Sequence, residues 1–324
     1  ITVSSTSSPE PEPEPEPSSK MTIYLAFHII LPSAGETVSN TMNNNLEEQF
    51  NVMQECYSVT SESMKPDNDP NFTPGGTPMR FNFVMRHIDD DTSKWYTSVS
   101  TPSSPVWNPN WLNGDNILDN TNTAADAVGI DFTTTLNVYF SEANNGLLGY
   151  ARFPDTYSTI GSWWGTWCLL SSIPNGGAGV FGLGKTLVHE AGHCFGLWHT
   201  FQFPSDECND TPKDLVSDAG SFLLNGQRRN KNDTVITDED STDPGRDPVY
   251  NYMNYCYDDT MLAFTDNQNT RMENQIEQYL PDIWATLDDS NKNTSRKLVT
   301  ANRLTNTEVD TLYSKAVDII VSQQ

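Results

Sequence analysis

Positive charge is scarce in this sequence. Eighteen Lys and Arg stand against 43 Asp and Glu, a net charge of −25 over 324 residues. Phosphate-binding surfaces are built from clustered Lys and Arg, so this balance excludes nucleic acid as a partner. Long apolar runs are missing too: none approaches the ~20 residues a helix needs to span a bilayer, which excludes a membrane-crossing helix. The longest such stretch, Met21 to Leu31, carries His28 at its centre, has no basic flank beyond Lys20 and follows a Pro-rich segment. Those features separate it from a signal peptide, and it reads as a buried strand. The chain starts at Ile1, and a targeting segment is expected to have been removed upstream. Cysteines are few and odd in number (Cys56, Cys168, Cys194, Cys208 and Cys256), so they cannot all pair with one another.

The acid excess suits a soluble exported protein, or one that binds a hard cation such as calcium through carboxylates. Glycosylation sequons at Asn71, Asn209, Asn232 and Asn293 point the same way, although such triplets also arise by chance. At 324 residues the chain is long enough for one large domain or two modest ones.

Composition divides the chain. Residues 1–20 are Ser, Thr, Pro and Glu, with Pro and Glu alternating from Pro9 to Pro17. Such a segment buries nothing and favours extended polyproline II, so it is a solvated spacer, or a tail with no role. Globular patterning begins at Met21. Residues 22–31 read as a central strand, residues 79–88 and 136–140 as further strands, and Leu46, Phe50, Met53 and Tyr57 recur at helical spacing. Residues 89–131 read as long irregular loops, and regular patterning fades again over residues 203–249. Thr265 and Gln268 then fit a capping box before the apolar stripe Met272, Ile276 and Leu280, with Pro281 ending or kinking that helix. A last amphipathic helix is expected from about residue 307, with Val309, Leu312, Tyr313, Ala316, Val317 and Ile320 on one face. It would dock on the catalytic domain, on another copy or on a region outside this sequence, the first being preferred.

The segment that carries chemistry is His189-Glu-Ala-Gly-His193-Cys-Phe-Gly196-Leu-Trp-His199, which uses three of the five histidines. Residues four apart share a helix face, so His189 and His193 can present nitrogens to one metal. His199 could not reach that point on an unbroken helix. Gly196 tolerates positive φ, so the helix can end there and turn His199 back. Three imidazoles leave zinc one open position for water, the catalytic arrangement. Glu190 would then be the general base. A bare His-Glu-x-x-His also occurs as two half-buried helical histidines; the added glycine and third histidine argue against coincidence.

At these residues the sequence resembles the metzincin clan of zinc metalloproteases, whose histidine signature is followed by a Met-turn. Asn251-Tyr-Met253-Asn-Tyr255, with Met253 54 residues after His199, is the matching element. Within the clan it resembles the pappalysin family, through Thr200 after the third histidine, Cys208-Asn-Asp-Thr-Pro212, and Phe264-Thr-Asp-Asn-Gln268 with Arg271-Met272. The resemblance spans about residues 21–287. Asn254 departs from it, standing where the family usually has Asp, and the loop before Met253 has fewer cysteines than usual.

The resemblance implies an α+β fold. An upper subdomain over residues 21–199 would hold a twisted mixed sheet and the active-site helix. A lower, loop-rich subdomain over residues 200–289 would hold the Met-turn and a C-terminal helix, and residues 290–324 would form an extension. Met253 would form the apolar floor of the metal site, a role close to ordinary core packing. Tyr255 would stabilise the oxyanion, or serve as a structural phenol. Asp210, Thr211 and Asp214 would bind calcium, or be plain solvated groups. Asp258 and Asp259 would line the specificity pocket and favour Arg or Lys just after the scissile bond. Cys208–Cys256 is the preferred bridge, both flanking the substrate-side loop, with Cys194 a buried free thiol. The implied activity is that of a secreted endopeptidase acting on proteins or peptides. The competing readings are a catalytically silent binding or adhesion module and a non-peptidase zinc hydrolase.

Overall fold

A computed structural model describes residues 20–58, 79–86, 97–103, 107–113, 117–118, 123–142, 146–155, 164–202, 205–211, 223–224, 227–228, 248 and 250–287. Residues 1–19 of the spacer expected over 1–20, the helix expected from residue 307, Asp214 and the sequons at Asn71, Asn232 and Asn293 lie outside the described residues.

The first strand, β1 (Met21–Ile30), organises the sheet. It pairs in parallel with β2 (Phe81–Met85) along its first half and with β3 (Thr97–Ser100) along its second. On its other side it pairs in parallel with β4 (Thr135–Ser141), which pairs in parallel with β6 (Gly165–Leu169). The edge strand β5 (Gly149–Ala151) runs antiparallel to β6. A short hairpin of β7 (Leu223–Leu224) and β8 (Gln227–Arg228) stands apart.

Both faces of the sheet are covered, which is why β1 is almost continuously apolar and β4 is buried along its whole length. One face packs on α1 (Asn40–Cys56) and α3 (Lys185–Cys194). Here Ile23, Leu25, Phe27, Val138 and Phe140 meet Leu46, Met53, Val188 and Ala191 in the main core. The other face lies under a second cluster, in which Ile30, Tyr139 and Trp167 pack against Trp111, Ile117, Ala124 and Ala125. The interval expected to be irregular therefore carries β3, a 3-10 turn (Pro109–Asn113) and α2 (Ala124–Val128), which Thr123 and Asp126 cap reciprocally. Elements of four or five residues leave no periodicity to read; packing on the sheet creates them.

The remaining helices are α4 (Asp266–Tyr279) and α5 (Pro281–Trp284). Thr265 and Gln268 form the expected capping box, and Met272, Ile276 and Leu280 are buried. Pro281 closes α4 and opens α5 as its first residue, where a missing N–H is harmless. Arg80 grips Glu273 with two parallel hydrogen bonds of 2.9 and 2.7 Å, tying α4 to the start of β2. No helix among the described residues is long and apolar enough to cross a membrane.

Candidate metal centre

The site is built on α3. Its N-terminus follows Gly184 (φ +81°), and the Asp258 carboxylate accepts hydrogen bonds from the N–H groups of Leu183 (2.9 Å) and Lys185 (3.3 Å). A negative group there meets the positive end of the helix dipole. Burial nonetheless pushes the Asp258 carboxyl up to about 6. Along the helix, Tyr57 donates its hydroxyl to the Val188 carbonyl at 2.9 Å, and the Trp164 indole donates to the Cys194 carbonyl at 2.9 Å.

The helix ends in a Schellman turn. Gly196 N–H donates to the His193 carbonyl and Leu197 N–H to the Gly192 carbonyl, both at 2.9 Å, with Gly196 at φ +92°. A side chain at Gly196 would be strained in that conformation and would also meet Gln275. The turn is clamped from α4, where Arg271 Nε donates to the Gly196 carbonyl at 2.7 Å while its guanidinium pairs with Glu207. The chain then reverses and brings His199 back beside the helix.

The three Nε2 atoms of His189, His193 and His199 lie 3.0 to 3.2 Å from one another. The far side of two rings determines what those atoms carry. His189 Nδ1 donates to the Tyr252 carbonyl and His193 Nδ1 to the Leu197 carbonyl, each at 2.7 Å. A carbonyl only accepts, so Nδ1 holds a proton, and the neutral tautomer this selects has its lone pair at Nε2, facing inward. Lone pairs converging at such distances repel unless an electrophile lies among them. Zinc–nitrogen bonds of ~2.0–2.1 Å at near-tetrahedral angles require nitrogens about 3.3 Å apart, and the observed triangle fits. Among the described residues this is the one cluster of three His, Cys, Asp or Glu side chains able to share a metal.

The Met-turn closes the site from below. Met253 is fully buried, its N–H donates to Asn251 Oδ1 (2.9 Å), and its carbonyl accepts from Thr200 N–H (3.2 Å). Asn251 and Gln268 exchange amide hydrogen bonds of 2.7 and 3.0 Å, locking this turn to the first turn of α4. Asn254 donates to the Thr200 hydroxyl at 3.0 Å, so the residue that departs from the pappalysin pattern still anchors the segment after His199. The Tyr255 ring stands 4.8 Å from His199 and 5.7 Å from His189, centroid to centroid. Glu190 is fully buried, with Gly149 of β5 in direct approach: a Cβ there would fall 2.6 Å from Glu190 Oε1.

Two hollows flank the histidines. One, of about 250 Å³, touches His189 and is lined by Leu148, Phe181, Tyr255, Asp258 and Met261, with Lys185 beside them. The other, of about 280 Å³, touches His193 and His199 and is lined by Tyr150, Ala151, Phe153, Trp198 and Gln202. Asp259 is exposed. The calcium candidates are engaged locally: Thr211 donates to Asp206 (2.5 Å) and to the Cys208 carbonyl (2.7 Å), and Asp210 accepts from Asn267 N–H (2.8 Å) at the start of α4. Burial raises the Asp206 carboxyl to about 6.

One expectation needs correction. Cys208 and Cys256 do not form a bridge; each is a buried thiol. Cys256 turns into the main core and donates to Asn254 Oδ1 at 3.4 Å, while Cys208 sits in the loop around Asp206. Cys194 is a buried free thiol, as anticipated. Sequence reasoning missed Phe153, Trp198 and the Gly196 and Glu207 partners of Arg271. None of these has a local signature except the Gln-x-x-Arg spacing of α4.

Comparison with known proteins agrees with this geometry. Residues 181–277 match the family model of the pregnancy-associated plasma protein-A peptidases, family M43. An extracellular metalloprotease of Colletotrichum graminicola is 29% identical over 272 residues, 81% of this chain and 78% of that protein. Another, from Verticillium alfalfae, is 37% identical over 145 residues, 43% of this chain and 48% of that protein. Among solved structures, mature mirolysin of Tannerella forsythia in complex with a cleaved peptide shares the fold, with TM-score 0.59 and 19% identity over 87% of this chain and 100% of that one. With a mixed sheet, a helix ending in a glycine turn and three converging imidazoles, the chain is a metalloprotease of the metzincin type, a hydrolase of peptide bonds.

Proposed function

We propose that the chain is a secreted, zinc-dependent endopeptidase, with His189, His193 and His199 as metal ligands and Glu190 as general base. The observation that carries this is the convergence of three Nε2 atoms within 3.2 Å, two of them on rings whose Nδ1–H is held by a backbone carbonyl. Export is supported by the names of the extracellular relatives and by the −25 net charge.

Zinc held by the three imidazoles would supply Lewis acidity to the scissile carbonyl. The Tyr252 and Leu197 carbonyls fix the ring orientations of His189 and His193. Glu190, adjacent to the first ligand and shielded by β5, takes the proton of the attacking water and passes it to the leaving amine. The Tyr255 hydroxyl donates to the oxyanion as the carbonyl carbon becomes tetrahedral. Met253 keeps the floor apolar, which strengthens each charge interaction above it. Asp258 lines the hollow beside His189 and selects Arg or Lys immediately after the scissile bond; a library profile with small or apolar residues dominating there would remove that role.

The test is casein hydrolysis by the purified chain. Glu190→Ala should lower turnover by about 10²–10⁴-fold with one zinc per chain retained. Undiminished cleavage by that variant would refute the assigned base, and an absence of stoichiometric metal in the wild type would refute the site.

A further inference from the structure

The hollow touching His193 and His199 is walled by rings. Phe153 and Trp198 stand 4.5 Å apart at 34°, and Phe153 lies 5.2 Å from the His193 ring. Tyr150 also borders the hollow, and its ring stands 5.7 Å from that of Trp167. Among the described residues the lining holds no carboxylate and no Lys or Arg.

Strand β5 and the residues flanking it connect this hollow to the one beside His189: Leu148 lines the latter, whereas Tyr150, Ala151 and Phe153 line the former. Among the described strands β5 ends the order of the sheet, and its outer edge offers backbone groups to an extended peptide. Antiparallel pairing, the more stable kind, sets such a peptide running against β5. Its N-terminal residues then lie at the Phe153 end and its C-terminal residues at the Leu148 end, with the metal centre between.

Resting on the endopeptidase reading above, we propose that Tyr150, Phe153 and Trp198 form an aromatic subsite that takes the flat side chain of a Phe, Tyr or Trp on the N-terminal side of the scissile bond. A guest ring gains offset and edge-to-face contacts in addition to apolar burial. A cationic guest would lie against imidazoles that ligate a dication, and an anionic one would lose hydration against three aromatic walls.

The test uses fluorogenic peptides matched except at one residue, scanned through the three positions before the scissile bond. Phe in place of Ala should raise kcat/KM about tenfold or more at one of these positions, with Arg and Glu giving no such gain. Trp198→Ala should bring the Phe-to-Ala ratio towards one in zinc-loaded protein, and Trp198→Phe should retain it. Should Trp198→Ala fail to fold, Phe153→Leu keeps apolar volume while removing the ring, and the ratio should fall. A flat profile at all three positions, Arg outrunning Phe, or a ratio unchanged in a folded ring-deleted variant overturns the subsite and leaves the endopeptidase reading standing. A zinc-loaded wild type that cleaves none of the peptides or casein overturns both.

Discussion

Replacing Gly149 by alanine introduces a methyl group where the Glu190 side chain already lies. The added Cβ would stand 2.6 Å from Oε1, 2.7 Å from Cγ and 2.9 Å from Cδ of Glu190, each inside the 3.0 Å that real Cβ contacts respect. Three atoms in a row are too close, so rotating the carboxylate gives no relief and the whole arm must move by several tenths of an ångström. The strand cannot retreat cheaply, because Gly149 is in register with Cys168 and the Leu148 carbonyl accepts from Leu169 N–H at 2.7 Å. Backbone strain does not confuse the result, since Gly149 is outside the left-handed φ region. Misplacing a catalytic group by about 1 Å costs roughly 10²-fold. Gly149→Ala should therefore lower kcat about 10- to 100-fold, with KM and bound zinc little changed. The assay is steady-state hydrolysis of a fluorogenic peptide beside elemental analysis and thermal unfolding. A folded, zinc-loaded variant with kcat within twofold of wild type would refute the close approach as a constraint on Glu190.

Arg271→Ala removes the clamp on the Gly196 carbonyl and leaves Glu207 without its ion pair, so zinc affinity should weaken about 10- to 100-fold in competition with a chelator, as for other groups that support ligands. Unchanged affinity would show that the Schellman turn holds His199 unaided. His28 is fully buried, with Nε2 donating to Asn137 Oδ1 at 2.8 Å and Nδ1 within 3.0 Å of Ser98 Oγ, and burial lowers its pKa to about 4. Its folded pKa is depressed, so below the usual ~6.5 the unfolded chain binds a proton the folded one refuses, and stability falls as pH drops. Between pH 7 and 5 this amounts to about 2 kcal/mol. Asp206 and Asp258, raised to about 6, act in the opposite sense. Comparing chelator-treated wild type with His28→Gln isolates the histidine: the variant should lose about 2 kcal/mol less over that interval. Parallel pH profiles would sink the assignment.

Much of the centre was legible along the chain because its determinants are local. Residues four apart on a helix share a face, and a glycine at φ +92° is what lets His199 return, so the convergence of the three histidines could be read from spacing alone. The Thr265–Gln268 capping box and the stop at Pro281 are equally local, and α4 forms as expected. Residues 107–128 show the opposite case. Pieces of five residues carry no period, and their burial exists only because the outer face of the sheet needs cover.

What tertiary structure alone decided are meetings between residues far apart in sequence. The Tyr252 carbonyl that sets the proton on His189, the Arg271 guanidinium on the Gly196 carbonyl, and Glu190 against Gly149 join positions separated by 63, 75 and 41 residues. Cysteine pairing was misjudged for the same reason, because proximity in a loop says nothing about where two Cβ–Sγ bonds point. Backbone spacing specifies which residues can share a helix face or a turn; the directions in which separate elements present their groups to one another are set by core packing, and that information is distributed over the whole chain.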